Sequence, residues 1–170
     1  MKKILVFLLL LSFGMLQAQP LTIDEANALV SFNFVDDDVD GTFEEFDFTG
    51  NVDLDDLSNS SISGTVTTKT IDTNNWLRSR HLRAKKYFNA SDHPKLKFNS
   101  STISGVKEGF QATGTLVIKG IKRPVVWSFT NNGEKLVGTT SINSQDFDIS
   151  IHDARNRNKV VITVTLPYAE

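Results

Sequence analysis

The chain of 170 residues contains no cysteine. That absence rules out thiol nucleophiles, thiolate metal sites and disulfide staples together. A domain without staples is held by its core alone. Histidine is nearly as scarce. His81, His93 and His152 stand twelve and fifty-nine residues apart, far from the close spacing of a histidine metal site. No Gly-x-Ser-x-Gly turn offers a strained nucleophile, and Ser79 is only a sequence neighbour of His81. Gly114 to Gly120 lacks the spacing of a phosphate loop. Carboxylate pairs are plentiful, but they fall in acid-rich turns where solvation accounts for them. No enzyme, cofactor or metal site is expected.

Long apolar runs are absent after the first residues. Lys2 and Lys3, the run Ile4 to Phe13 and small Ala18 have the layout of a secretory signal peptide over residues 1–18. The run is short for a membrane span. No cysteine follows for lipid attachment. Residues 19–170 are then one domain, expected in the periplasm or secreted.

Bases are scarce in the first part of that domain. Between Gln19 and Asn75 there are thirteen acids and one base, Lys69. From Leu77 to Lys97 the balance reverses, with seven Lys and Arg against Asp92. The asymmetry either places opposite potentials on different faces or is two ordinary solvated surfaces. Overall acidity and export both argue against nucleic acid as a partner. Asp36-x-Asp38-x-Asp40-Gly41 with Asp47 approaches a calcium loop. However, the closing residue is not the bidentate Glu such loops use, and the flanks read as strands rather than helices. An acidic hairpin is the reading preferred.

What the chain does have is short alternating segments. Ala28, Val30, Phe32 and Phe34 share a parity; Thr42 to Phe48 returns as a strand, its change of parity after Phe43 suggesting a bulge. Ser63 to Ile71, Leu96 to Ser100, Phe110 to Ile118, Val125 to Thr130, Leu136 to Ile142 and Val160 to Leu166 follow the same pattern. Asn131-Asn132-Gly133 marks a hairpin. The interruption is Ile71 to Phe98. Asn74 or Asn75 is a candidate helix cap there, and His93-Pro94 closes the segment. It reads as a short helical insertion around residues 76–90, a lid or corner on a β structure. Strands at turn spacings of about ten residues give a sandwich or a closed antiparallel barrel. Twelve Phe in the chain, mostly on one strand parity, favour the barrel. Its interior is either a filled core or a hollow holding one ligand.

Several of these residues resemble a known family. Ile71-Asp-Thr-Asn-Asn, then Arg80-His81-Leu82-Arg83 and Tyr87-Phe88, look like the centre of the YceI-like polyisoprenoid-binding proteins, exported bacterial lipid carriers. His93-Pro94-Lys-Leu-Lys-Phe98 and Gly114-Thr-Leu-Val-Ile-Lys-Gly120-Ile-Lys-Arg-Pro124-Val125 are similar to two further motifs of that family. Phe32 and Gly41-x-Phe43 fit its opening hairpin. Lys122 and His93 depart from its usual Thr and Tyr, and the segment Asp153 to Asn158 is more basic than its pattern.

The resemblance implies an extended, eight-stranded, lipocalin-like antiparallel barrel. A polyisoprenoid or fatty-acyl lipid would sit in its pocket, for storage, transport or stress protection. The wall residues expected are Phe32, Phe34, Phe43, Leu96, Phe98, Leu116, Ile118, Trp127 and Phe129. Arg78, Arg80, His81 and Arg83 are expected at the mouth, where an anionic head group would find charge-assisted hydrogen bonds. The alternative is a filled structural or adhesive barrel that binds a protein partner without lipid. Transient membrane contact and a homodimer stay open.

Overall fold

The computed structural model describes residues 20–169; the signal peptide expected over residues 1–18 lies outside them. Among the described residues the strands are β1 (Thr22–Ile23), β2 (Leu29–Phe34), β3 (Val39–Phe43), β4 (Asp47–Asn51), β5 (Ser61–Thr67), β6 (Lys95–Val106), β7 (Gly109–Ile118), β8 (Ile121–Asn131), β9 (Lys135–Asn143) and β10 (Lys159–Ala169). One α-helix, α1 (Trp76–Arg83), stands between β5 and β6. Nine strands pair antiparallel in the order β3-β2-β10-β9-β8-β7-β6-β5-β4, and β1 pairs with the far end of β10.

The expected count of eight strands is corrected, and the reason lies at Glu45. Thr42 to Phe48 is not one bulged strand. Glu45 takes a left-handed φ of 55°, which a strand cannot continue through. The chain therefore leaves β2 after Phe43 and joins β5 from Asp47. One extended stretch supplies both edges of the sheet, so the sheet has to curl until its first and last strands meet. Among the described residues β3 and β4 form no ladder with each other; backbone bonds between Thr42 and Asp72 (2.8 and 3.0 Å) and a Thr67 N–H to the Glu44 carbonyl (3.3 Å) bridge the seam instead.

Gly41 is required at that seam. Phe32 lies across from it in the ladder, and a Cβ there would collide with the Phe32 ring and the Asp72 carbonyl. A second irregularity sits in β6. Its register against β7 shifts between Ser100 and Thr102, and the Ser101 hydroxyl donates to the Thr113 carbonyl (3.1 Å). The shift lets Ile103 resume the buried face that Leu96 and Phe98 began.

The side chain of Asn75 caps α1, accepting from the Arg78 N–H at 3.0 Å, a contact worth about 1 kcal/mol. Arg80, His81 and Arg83 crowd the last turn, where cations suit the helix dipole. The helix stops at Ala84, whose ψ of 161° is extended. It is thus shorter than the insertion expected over 76–90. Turns continue to His93, tied by Phe88 N–H to Leu82 O (3.0 Å) and Ala90 N–H to Arg83 O (3.1 Å).

The registers put α1, the β2–β3 turn, the β7–β8 turn and the β9–β10 loop at one end of the curled sheet. The other end is packed solid. There Phe110, Ala112, Leu136, Leu166 and Val52 are almost wholly enclosed. Each large apolar side chain buried in this way contributes about 1.5–3 kcal/mol.

Candidate functional site: an apolar cavity below the helix

Between the packed end and α1 lies a cavity of about 460 Å³. All nine residues expected on a pocket wall line it: Phe32, Phe34, Phe43, Leu96, Phe98, Leu116, Ile118, Trp127 and Phe129. Alternation brings them together, because side chains two apart on a strand share a face. Trp127 and Phe129 stand on the inner face of β8, with Leu116 and Ile118 on that of β7. Phe98 meets Trp127 edge-on at 5.9 Å, and Phe32 meets Phe43 at 5.5 Å. The floor is Phe129, stacked on Phe110 beneath it with centroids 4.9 Å apart.

The four residues expected at the mouth separate into two pairs. Arg78 and His81 line the cavity. Arg78 is anchored at the same time, donating from Nε to Thr73 Oγ1 (3.0 Å) and from Nη2 to the Thr73 carbonyl (2.8 Å). Arg83 does not line the cavity; it spends Nη1 on the carbonyls of Ile71 (3.0 Å) and Lys69 (3.3 Å). Arg80 is exposed and lies off the lining as well. Helical geometry explains the split. Residues 78 and 81 are three apart and share a face, whereas 80 turns away from it.

Other walls escaped the sequence reading. Val160, Ile162, Val164 and Leu166 present one face of β10 to the cavity, and Ile62 and Val66 do so from β5. Their alternation was there to be read. The segment from α1 to Phe88 adds Leu77, Leu82, Tyr87 and Phe88. The β9–β10 loop adds Phe147, Ile149 and Ile151. In that loop the signal was only three apolar residues at alternate positions in a polar stretch.

Asn158 is what folds the loop over the cavity. Fully buried, it accepts through Oδ1 from the N–H of Ile151 (3.0 Å) and of His152 (3.1 Å). Its Nδ2 donates to the carbonyls of His152 (2.8 Å) and Ala154 (2.9 Å). Ser144 adds a hydroxyl bond to the Ile149 carbonyl at 2.7 Å.

The acidic β2–β3 turn ties that loop to the sheet. Arg157 Nη2 stands 2.6 Å from Asp36 Oδ2, and its Nε donates to the same oxygen at 2.7 Å. His152 Nε2 lies 2.9 Å from Asp37 Oδ2. The guanidinium beside it holds the Asp36 carboxyl below its ordinary value, and Asp36 in turn raises Arg157. Asp36, Asp37 and His152 bring ligand-type atoms within 4.8 Å of one another, but Arg157 already supplies that cluster with positive charge. Asp47, the last acid of the calcium-like pattern, sits on β4 and bonds Lys95 Nζ at 3.0 Å. That bond is the main reason its carboxyl is also lowered. Among the described residues the acid-rich and base-rich stretches meet in one ion pair, Lys95 with Asp47; the acids at Asp36 and Asp37 are met instead from the β9–β10 loop.

The YceI-like domain family matches residues 21–167. A UPF0312 protein of Ectopseudomonas mendocina is 32% identical over 121 residues, 65% of this chain and 63% of that protein. The chain spans about half the length of the curated relatives it matches. Among solved structures, BcnA of Burkholderia cenocepacia superposes with a TM-score of 0.75 at 22% identity, over 87% of this chain and 99% of that one. A polyisoprenoid binding domain from Saccharophagus degradans superposes with a TM-score of 0.58 at 12% identity, over 87% of this chain and 97% of that one. At such identities the two structures speak for the fold. With the family match across nearly the whole described region, the chain belongs to the YceI-like family.

Proposed function

We propose that this protein is an exported, non-enzymatic carrier that holds a polyisoprenoid or other long-chain lipid in the cavity below α1. The observation that carries the reading is the cavity itself, closed by packed aromatics at one end and walled by side chains from β2, β3, β5–β8 and β10. An apolar chain entering it gains about 0.8 kcal/mol for each buried CH₂. A single five-carbon unit then gains about 4 kcal/mol before ordering costs are subtracted. Affinity can grow with chain length without any specific contact.

Half-exposed Leu77 and Ile151 both line the cavity and mark its mouth. Arg78 and His81 stand on the same lining, so an anionic group at the outer end of the ligand would meet them first. Family membership and the polyisoprenoid-binding name of one structural relative agree with this reading. The filled-barrel alternative describes only the packed end, around Phe110 and Leu136. Export rests on residues 1–18, and transient contact of the mouth with a membrane is part of the proposal.

The test is to fill the cavity. Ile162 is half-buried on β10 and lines it. Ile162→Trp should reduce uptake of an added polyprenyl chain at least tenfold while thermal melting stays near wild type. Undiminished uptake by a folded variant would place the ligand elsewhere.

A further inference from the structure

Trp76 opens α1 and is 72% exposed, and Leu77 beside it is 49% exposed. Among the described residues eight large apolar side chains stand exposed, and four of them, Val35, Trp76, Leu77 and Ile151, lie at the mouth end of the curled sheet. The other four are spread over the packed end and the outer wall. A single exposed apolar residue is ordinary, but four around one opening mark a contact surface.

The charge beside that surface has one sign. From Trp76 to Ser91 the chain carries Arg78, Arg80, Arg83, Lys85 and Lys86 and no acid. Among the described residues none of the five is paired with a carboxylate. The loops around the mouth are closer to neutral. Asp36 is met by Arg157, Asp37 by His152, Asp146 by Arg155 and Asp148 by Lys119, while Asp38, Asp40 and Asp153 stay exposed. Asp72 and Asp92, which bracket the basic segment, accept from Ser79 and Asn89. Positive potential is therefore concentrated on α1 and the turn after it. Trp76 and Arg80, four apart, share a face of that helix. An indole at the level of lipid head groups, with Lys and Arg among their phosphates, is how a protein surface settles on an anionic bilayer.

We infer that the mouth docks on an anionic phospholipid bilayer, met by Trp76 and Leu77 with Arg80, Lys85 and Lys86 beside them. The inference rests on the carrier reading and names the partner its mouth meets. An acidic protein would match the cations alone; a bilayer matches the cations and the apolar rim together. With α1 against the head groups, a cargo chain passes between bilayer and cavity with little of it crossing open water.

Sedimentation of the mature protein with vesicles of phosphatidylcholine alone, and of phosphatidylcholine mixed with phosphatidylglycerol, tests this. Binding should be at least tenfold tighter to the mixed vesicles at low salt and should fall as salt is added. Trp76 emission should shift to the blue on binding, whereas Trp127, 5% exposed, is already enclosed. Trp76→Ala should weaken binding to the mixed vesicles about tenfold. The triple variant Arg80→Glu, Lys85→Glu, Lys86→Glu should lose the preference for them. All four residues are exposed and off the cavity lining, so uptake of a polyprenyl chain dispersed without vesicles should stay at the wild-type level in both variants. Such uptake by wild type with no binding to mixed vesicles overturns the inference and leaves the carrier intact. Vesicle binding that the triple variant loses and Trp76→Ala keeps also overturns it, because bare charge attraction fits an acidic macromolecule. If wild type takes up no chain, the carrier reading falls and the inference with it.

Discussion

Phe110 and Phe129 stack with planes 11° from parallel, and this pair divides the curled sheet into a packed end and a hollow one. Phe129 belongs to both. It lines the cavity and rests on Phe110, which is 1% exposed.

The first prediction concerns that division. Phe110→Ala removes a ring from close packing and should cost about 3–5 kcal/mol in chemical denaturation. Phe98→Ala should cost distinctly less, since Phe98 already borders empty space and its loss widens a cavity that exists. Equal costs would mean that the hollow is not open in solution.

Gly138 gives a second prediction. It lies opposite Phe129 in the β8–β9 ladder, and a Cβ there would run into the Phe129 ring. Gly138→Ala should push that ring toward the cavity, lower stability by about 1–3 kcal/mol and weaken lipid uptake as well. A neutral variant would show that the ring has freedom the packing denies it.

A third follows from Asn158. Replacement by Ala removes the Asn158 partner of four loop groups, the N–H of Ile151 and His152 and the carbonyls of His152 and Ala154. The loss should be about 3 kcal/mol or more. Hydrogen exchange at Ile151 and His152 should rise well before the sheet opens. If those amides stay protected, the loop is held by something other than Asn158.

The ion pair at the loop carries a pH signature. Arg157 keeps the folded-state value of Asp36 below the ordinary 3.8. A depressed carboxylate stabilises the fold above 3.8 and loses that contribution as pH falls through the lower, folded value. Melting temperature should therefore drop in wild type below about pH 4, and that increment should be missing in Asp36→Asn. From about pH 5 to 8 this pair should contribute no slope. An acid drop of the same size in both proteins would remove Asp36 from the account.

Much of this architecture is legible in residue order. The parity of Phe110 to Ile118 and of Val125 to Phe129 places Leu116, Ile118, Trp127 and Phe129 on one inner face, and the helix cap is legible as Asn74 or Asn75, the structure taking Asn75. The break in Thr42 to Phe48 is not legible. It turns on one left-handed residue, Glu45, a residue type that does not announce a positive φ. The contribution of Phe147, Ile149 and Ile151 is hidden for a related reason. Their loop is ordered by Asn158, several residues downstream, and three alternating apolar residues in a polar stretch do not by themselves say that it folds over a cavity. Arg78 and Arg80 look alike in sequence and part company only once the axis of α1 is fixed against the cavity.

The central claim is that the hollow end holds a lipid. Native mass spectrometry of the mature protein, taken from its own host without refolding and followed by organic extraction, tests this most directly. The account predicts a discrete excess mass that extracts as a prenyl or acyl chain. A clean protein mass, with no uptake of added polyprenyl or fatty-acyl chains, would contradict it.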